Sequence, residues 1–418
     1  TTFAQALMIL VAPILTRLYS PEDFGVYALY TSILGIIAVV SCWRYELAIV
    51  LPEKDEDAAN LLVLSICICF GMALLTLALV ALFRNPVANL LGAPGLAPWL
   101  WFMPLSLIAA GLFQAFNYWS TRRKQFRRLA VRQITQSIVT VTTQLGTGFV
   151  LHPGPGGLIG GSILGQVTAT IRLARHIWRD DSNVLRGISL KGIKTQAALY
   201  REFPLYQIWA ALLNAISSMT PILLLGYFFS PATVGFFALG QKLVASPLGI
   251  VGGSVSQVFF PRAELARRQG TLDKLVVSTF QNLLSIGLFP IAVLAVIGPE
   301  LIGFIFGAGW VLAGVFLRLL SPYLLFNFLS APISPVFSVL GKQKEYLLFN
   351  ITYFLLAVSA LVIGGCKNDA QLAITLFGTI TFLLYCYFGA KIFQMSGVTL
   401  KATWLAVSTV LPPVISFI

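Results

Sequence analysis

Charge is scarce in this chain. Only 10% of its 418 residues are Asp, Glu, Lys or Arg, while 57% are hydrophobic. A soluble domain carries roughly 25% charged residues, so a water-exposed globular fold is excluded. The short alternating segments of a membrane β-barrel are missing as well. Histidine is limited to His152 and His176, too few and too far apart for a metal site. The five cysteines (Cys42, Cys67, Cys69, Cys366 and Cys386) contain no C-x-x-C and read as apolar packing. No G-x-x-x-x-G-K-[ST] loop encodes a nucleotide site. No nucleophile–base pair stands at motif spacing, and no loop is long enough for a catalytic domain. Nothing in the residues calls for a cofactor, a metal or an enzymatic activity.

What the chain does have is a succession of apolar runs near or above 18 residues, each long enough to cross a bilayer as a helix. They predict an all-α polytopic membrane protein with thirteen spans: 3–18, 24–46, 58–83, 98–121, 131–150, 156–178, 203–229, 233–260, 275–297, 312–340, 346–364, 370–390 and 402–418. The chain opens on Thr1 rather than Met, without a recognisable signal peptide. We expect its natural start upstream, its last run to continue past Ile418, and twelve to fourteen spans in all.

The net charge of +13 would suit nucleic acid, but its placement argues against that partner. With the N-terminus in the cytoplasm, twenty-three of the 28 Lys and Arg residues fall in inward loops and adjoining helix ends. Only Arg17, Arg84 and Lys367 fall outside, and Lys242 and Arg318 remain within spans. Such a split is the positive-inside pattern and predicts a multi-pass protein with a cytoplasmic N-terminus.

The chain also repeats itself. Ser20-Pro21-Glu22-Asp23-Phe24-Gly25-Val26-Tyr27-Ala28-Leu29 and Ser230-Pro231-Ala232-Thr233-Val234-Gly235-Phe236-Phe237-Ala238-Leu239 share Ser, Pro, Gly, Ala and Leu at an offset of 210. Lys124-Gln125 and Lys342-Gln343 agree at an offset of 218. The reading is a parallel repeat about an axis along the membrane normal: an N-terminal six-helix bundle over 1–178, a linker over 179–202, a second six-helix bundle over 203–394 and an additional span over 395–418. The linker reads either as an amphipathic helix on the cytoplasmic surface or as a solvated basic tether. In span six, Gly157, Gly161 and Gly165 recur every four residues, a helix-packing face.

A cation at a helix centre costs roughly 2.5–3.5 kcal/mol, so Lys242 and Arg318 are expected to face a wet cavity, with snorkelling to the outer headgroups as the plainer alternative. Arg44, beside Glu46, and Arg17 join them as candidates; helix-end anchoring would explain both equally. All fifteen Asp and Glu lie at span ends or in loops, and cations without mid-span carboxylates suit an anionic cargo such as a phosphate headgroup. Gln114, Asn117, Gln207, Asn214 and Gln241 are candidate glycan contacts, for which interhelical hydrogen bonding is the plainer alternative.

Several stretches carry a resemblance: Arg17-Leu18-Tyr19-Ser20-Pro21-Glu22-Asp23-Phe24-Gly25, Arg44-Tyr45-Glu46-Leu47-Ala48-Ile49-Val50-Leu51-Pro52, Arg122-Arg123-Lys124-Gln125-Phe126 and Tyr200-Arg201-Glu202-Phe203-Pro204-Leu205-Tyr206. In this order the chain resembles the bacterial polysaccharide biosynthesis flippases, exporters of O-antigen and other lipid-linked oligosaccharides for lipopolysaccharide and related polymers. Their superfamily, the multidrug/oligosaccharidyl-lipid/polysaccharide exporters, also holds lipid II flippases and multidrug antiporters. The resemblance implies two six-helix bundles around a cationic cavity in the inner membrane. It also implies transfer of an undecaprenyl-pyrophosphate-linked oligosaccharide between leaflets by alternating access. The partners it implies are that substrate, membrane lipid and glycan polymerase machinery. A cation-coupled multidrug exporter is the first alternative, disfavoured by the missing mid-span carboxylate. A membrane glycan polymerase or ligase is the second, disfavoured by short, nearly uncharged outward loops.

Overall fold

Backbone amides in hydrocarbon must be satisfied within their own segment, and the chain meets that demand with helices. The structure, a computed structural model, describes residues 2–151, 154–185 and 187–398. In chain order the helices are α1 (Thr2–Leu18), α2 (Pro21–Val39), α3 (Tyr45–Ala48), α4 (Asp55–Leu90), α5 (Ala97–Leu100), α6 (Met103–Arg122), α7 (Phe126–Val150) and α8 (Pro155–Leu185). They continue with α9 (Leu190–Leu199), α10 (Ile208–Phe228), α11 (Pro231–Gln269), α12 (Leu272–Phe306), α13 (Val311–Ser330), α14 (Val336–Val339), α15 (Gln343–Cys366) and α16 (Ala370–Met395). No strand occurs among the described residues.

Seven of these segments are long and apolar enough to cross a membrane, and nine if two bent pairs each count as one span. Helix α4 runs 36 residues, and its most apolar 18-residue stretch has a mean hydropathy of 2.7 with only 17% of it buried in protein, so most of that surface requires lipid. Phe304, 85% exposed, makes the same demand on α12. A helix lies over each of the first twelve expected spans, but those over 3–18, 131–150 and 156–178 are shorter or more polar than the clear spans. The expected span 402–418 lies outside the described residues.

Several boundaries differ from the sequence expectation. Span two, expected to reach residue 46, ends at Val39. Trp43 and Arg44 then take left-handed backbone, with φ of 49° and 64°, which stops any α-helix. Helix α8 runs to Leu185, where Arg123, just past α6, and Arg128 of α7 hold Asp181, and Arg128 also holds Asp180. Between Asp180 and the second half, α9 is a separate helix, N-capped by Ser189.

The chain falls into two compact units, Thr1–Gly235 and Phe236–Ile418. Helix α10 belongs to the first, where it lies along α2 with Met219 against Gly35 and Leu29 against Gly226. The bundle boundary expected at residue 203 thus falls ahead of a helix that packs with the preceding unit. In the first unit the core gathers around the fully buried Trp119 with Leu61, Leu62, Leu173 and Ile177. Glycines 157, 161 and 165 let α8 press onto Tyr19, Gln144 and Thr140. In the second unit, Phe337, Phe349 and Phe388 stack at centroid distances of 4.1 to 5.1 Å.

The two copies of the repeated motif start α2 and α11. Ser20 caps α2 with a reciprocal bond from Asp23, and Pro21 takes the first helical position, where its missing N–H is harmless. Ser230 accepts the Thr233 N–H at 3.3 Å, and Pro231 holds the equivalent place. The copies meet reciprocally: Gly25 abuts the Pro231 carbonyl, and Gly235 abuts the Pro21 carbonyl.

Candidate functional site

One face of α6 is partly exposed along Phe113, Gln114, Asn117 and Tyr118, while the next face buries Ala115, Phe116 and Trp119. The exposed stripe carries two amide side chains and two rings, and a cation stands at each end of it. From α7, the Arg132 guanidinium lies 3.4 Å from the Phe113 ring centroid. Arg132 is only 7% exposed, its Nε has no hydrogen-bond partner, and among the described residues no carboxylate pairs with it. Cation–π contact compensates part of its desolvation but leaves its planar donor edge unfilled. Such an edge suits a phosphate oxygen.

At the other end, Arg44 stands on its left-handed backbone 3.6 Å from Glu46. Glu46 is 1% exposed, and neither of its oxygens accepts a hydrogen bond among the described residues. Two consecutive left-handed residues cost on the order of 1–3 kcal/mol each, so the fold accepts strain to present this pair. Gln114 spends one donor on the Ala38 carbonyl at 3.2 Å, which also accepts from the Ser41 hydroxyl at 2.7 Å at the end of α2. Asn117 has no side-chain partner among the described residues. Arg17 is exposed on α1, unpaired among the described residues. Gln207 and Asn214 lie exposed along the start and middle of the Phe203–Phe228 segment. Ser218 donates to the Asn214 side chain at 3.4 Å.

The basic motif after α6 does structural work. Arg122 grips Asp55 at 2.9 Å together with the carbonyls of Ile49, Pro52 and Glu53, closing the connection between α3 and α4. Arg123 bridges Asp55 and Asp181, and Arg128 reaches Asp181 at 2.9 Å and Asp180 at 3.1 Å. The buried Asp181 also accepts the Trp119 indole N–H at 3.1 Å. Two motifs that carry the family resemblance are therefore the two sides of one clamp.

In the second unit, Gln241 and Lys242 are half-buried on α11, and Lys242 has no ion pair among the described residues. Arg318 is held. Its Nη2 donates to the Val296 carbonyl at 2.7 Å and lies 3.3 Å from Glu300. Ile297 departs from helical geometry at φ −115°, ψ 22°, just before Pro299, and this break frees the Val296 carbonyl that Arg318 satisfies. Gly240 packs on Leu317, which brings the turn bearing Lys242 level with the turn bearing Arg318. Further along, α11 bends by 44° near Pro247. Beside the bend a cleft of about 290 Å³ opens between Gly249, Gly252, Gly253, Asn327 and Pro332. No group of three or more His, Cys, Asp or Glu able to hold a metal occurs among the described residues.

The sequence singled out Arg44 and Gln114 but did not join them. It counted Arg132 as a loop charge, since at the very start of a span nothing separates an anchoring arginine from a buried one. The only signal was Phe113 nineteen residues earlier, too distant to pair without a structure.

Residues 14–313 match the family model described as "Polysaccharide biosynthesis protein". A curated relative, the succinoglycan biosynthesis transport protein ExoT of Rhizobium meliloti (strain 1021), is 24% identical over 331 residues. That match covers 75% of this chain, and the chain spans 62% of ExoT's length. The fold is similar to that of the lipid II flippase MurJ in an inward closed conformation, with a TM-score of 0.69 at 14% identity, covering 95% of this chain and 89% of MurJ. It is also similar to an inward-facing multidrug resistance MATE family transporter of the MOP superfamily, with a TM-score of 0.67 at 16% identity over 94% and 96% of the two chains.

Proposed function

Because this chain belongs to the polysaccharide biosynthesis protein family, we propose that it is a flippase for an undecaprenyl-pyrophosphate-linked oligosaccharide, carrying it from the inner to the outer leaflet of a bacterial cytoplasmic membrane. The proposed topology has a cytoplasmic N-terminus, six-helix bundles over 1–178 and 203–394, a linker over 179–202 and a further span over 395–418. The observation that carries the reading is Arg132: a buried guanidinium, stacked on Phe113 and without a carboxylate, at one end of a stripe of amides and rings.

A diphosphate is costly to remove from water unless cations pair with it, and Arg132 and Arg44 supply two. Gln114, Asn117 and Tyr118 between them offer the donors, acceptors and flat ring that a sugar requires. Lys242, with Gln241 beside it, is the second unit's own cationic candidate. Arg318, occupied with Val296 and Glu300, acts first on the helix break and reaches cargo only if that pair opens. Arg17, Gln207 and Asn214 are exposed and would meet cargo or lipid headgroup outside this stripe. Alternating access by a helical repeat would carry the head group across while the prenyl tail stays in lipid, and the flipped product would pass to polymerase machinery.

Arg132→Gln is expected to lower glycan export in cells at least about tenfold, the loss of one charge-assisted phosphate contact, with normal amounts of protein in the membrane. Arg132→Lys keeps the charge but loses the planar fork and should restore only part of the activity. The readout is lipid-linked oligosaccharide accumulating on the inner leaflet. Wild-type export in the double variant Arg44→Gln/Arg132→Gln would remove this site from the mechanism. Neutralising Lys242 and Arg318 together tests the second unit in the same assay. Drug hypersensitivity of a deletion strain with intact glycan export would point to the multidrug alternative, and glycosyl transfer by the purified protein to a polymerase or ligase.

A further inference from the structure

Helix α8 shows two adjoining stripes on its outer surface. It buries Ala169, Leu173 and Ile177 against the first unit's core. Turned away from that core, Arg172, Arg175, His176 and Arg179 stand at i, i+3, i+4 and i+7, on one face. They line a groove of about 660 Å³ with Thr135 of α7 at its far wall. The groove is partly preorganised, because Arg172 donates to Thr135 Oγ1 at 2.9 Å. No carboxylate lines it. The nearest acid, Asp180, is shared between Arg128 and Arg179 at 3.1 Å each. Arg172 and Arg175 have no ion pair among the described residues.

An apolar line runs along the same side of the helix and into the groove. Leu164, Ile171 and Trp178 recur every seven residues and are all exposed, with Thr168 and Arg175 between them and Ile171 itself in the groove wall; acyl chains suit its apolar members. Trp178 ends that line, and tryptophan concentrates at the depth of the headgroups. Arg175 and Arg179 are at the same depth, since three residues of helix rise only about 4.5 Å.

We infer that this groove is a binding site for the phosphate headgroup of an anionic glycerophospholipid, its acyl chains lying along Leu164 and Ile171. Basic pockets between helices near a membrane surface take such headgroups. Here the apolar line running into the cationic groove selects a lipid over a free anion. The inference rests on the membrane-spanning reading and not on the identity of the cargo.

Native mass spectrometry of the purified full chain in detergent tests it, with phosphatidylglycerol and phosphatidylcholine of identical acyl chains as probes. The expected result is tighter binding of phosphatidylglycerol by at least about tenfold, lost in Arg172→Gln/Arg175→Gln/Arg179→Gln. The preference should persist in the control Arg267→Gln/Arg268→Gln, whose charges are already paired with Glu264. Equal binding of both lipids by the wild type, or a preference that survives the triple variant, would overturn the inference. So would its equal loss in the control, which would make it a bulk charge effect. Displacement by millimolar inorganic phosphate as effective as by lipid would reassign the groove to a free anion. None of these results depends on glycan export.

Discussion

Gly25→Ala and Gly235→Ala are each expected to abolish accumulation of the folded protein in the membrane. A methyl group on Gly25 would coincide with the Pro231 carbonyl, and one on Gly235 with the Pro21 carbonyl. An overpacked side chain usually turns aside at a cost of about 1–3 kcal/mol. These obstacles are backbone, at the capped starts of two long helices, and neither can rotate away. The loss should therefore exceed that range. Gly71→Ala and Gly160→Ala are the matched controls: both lie within helices with nothing near the added carbon. They should leave expression unchanged, because alanine is the better helix former. Fluorescence-detected size exclusion of tagged variants would separate the two groups. A monodisperse Gly235→Ala protein at wild-type levels would show that the motif copies do not meet as described.

The second large effect is expected at Asp181. Removing it by Asp181→Ala deprives Arg128 and Arg123 each of one of their two carboxylates and leaves the buried Trp119 indole without an acceptor. Breaking a buried pair costs about 3–5 kcal/mol. Asp181→Asn keeps an acceptor for Trp119 and should lose less than Asp181→Ala. Glu264→Ala also removes a carboxylate between two arginines, but an exposed one whose pairs solvent screens, and should shift the melting temperature far less. Thermal unfolding of the purified variants in one detergent gives the ranking. Equal melting temperatures for Asp181→Ala and wild type would mean that the clamp is solvated.

Much of the architecture was legible from residues alone, because a membrane enforces length and charge placement so strictly. Apolar runs located the helices, and the Ser-Pro…Gly repeat located two helix starts that proved to be in mutual contact. The resemblance rested on Arg122-Arg123 and on Arg44 through Pro52, and the structure gives the reason these stretches appear together: one grips the other. What could not be read was how buried charges are partnered. Arg132 differs from Arg127 and Arg128 of the same helix in which face of α7 it occupies. Arg318 seemed an unpaired intramembrane cation because its partner, Glu300, sits eighteen residues away beyond a turn, and because the break at Ile297 that exposes the Val296 carbonyl has no signature except Pro299. The early end of α2 was missed because Trp43 and Arg44 are not residues that usually take left-handed backbone.

Helix α10 has a consequence of a different kind. Only 6% of its most apolar 18-residue stretch is buried, and its packing runs mainly along a seam with α2, with a second contact at Leu91 and Gly92. Its own hydrogen bonds keep it helical in lipid whether or not that seam holds, so detaching it sacrifices few side-chain contacts and no backbone bonds. So little burial leaves only a small free-energy penalty for swinging aside. A covalent link tying α10 to α2 along that seam would turn this loosely moored segment into a fixed wall.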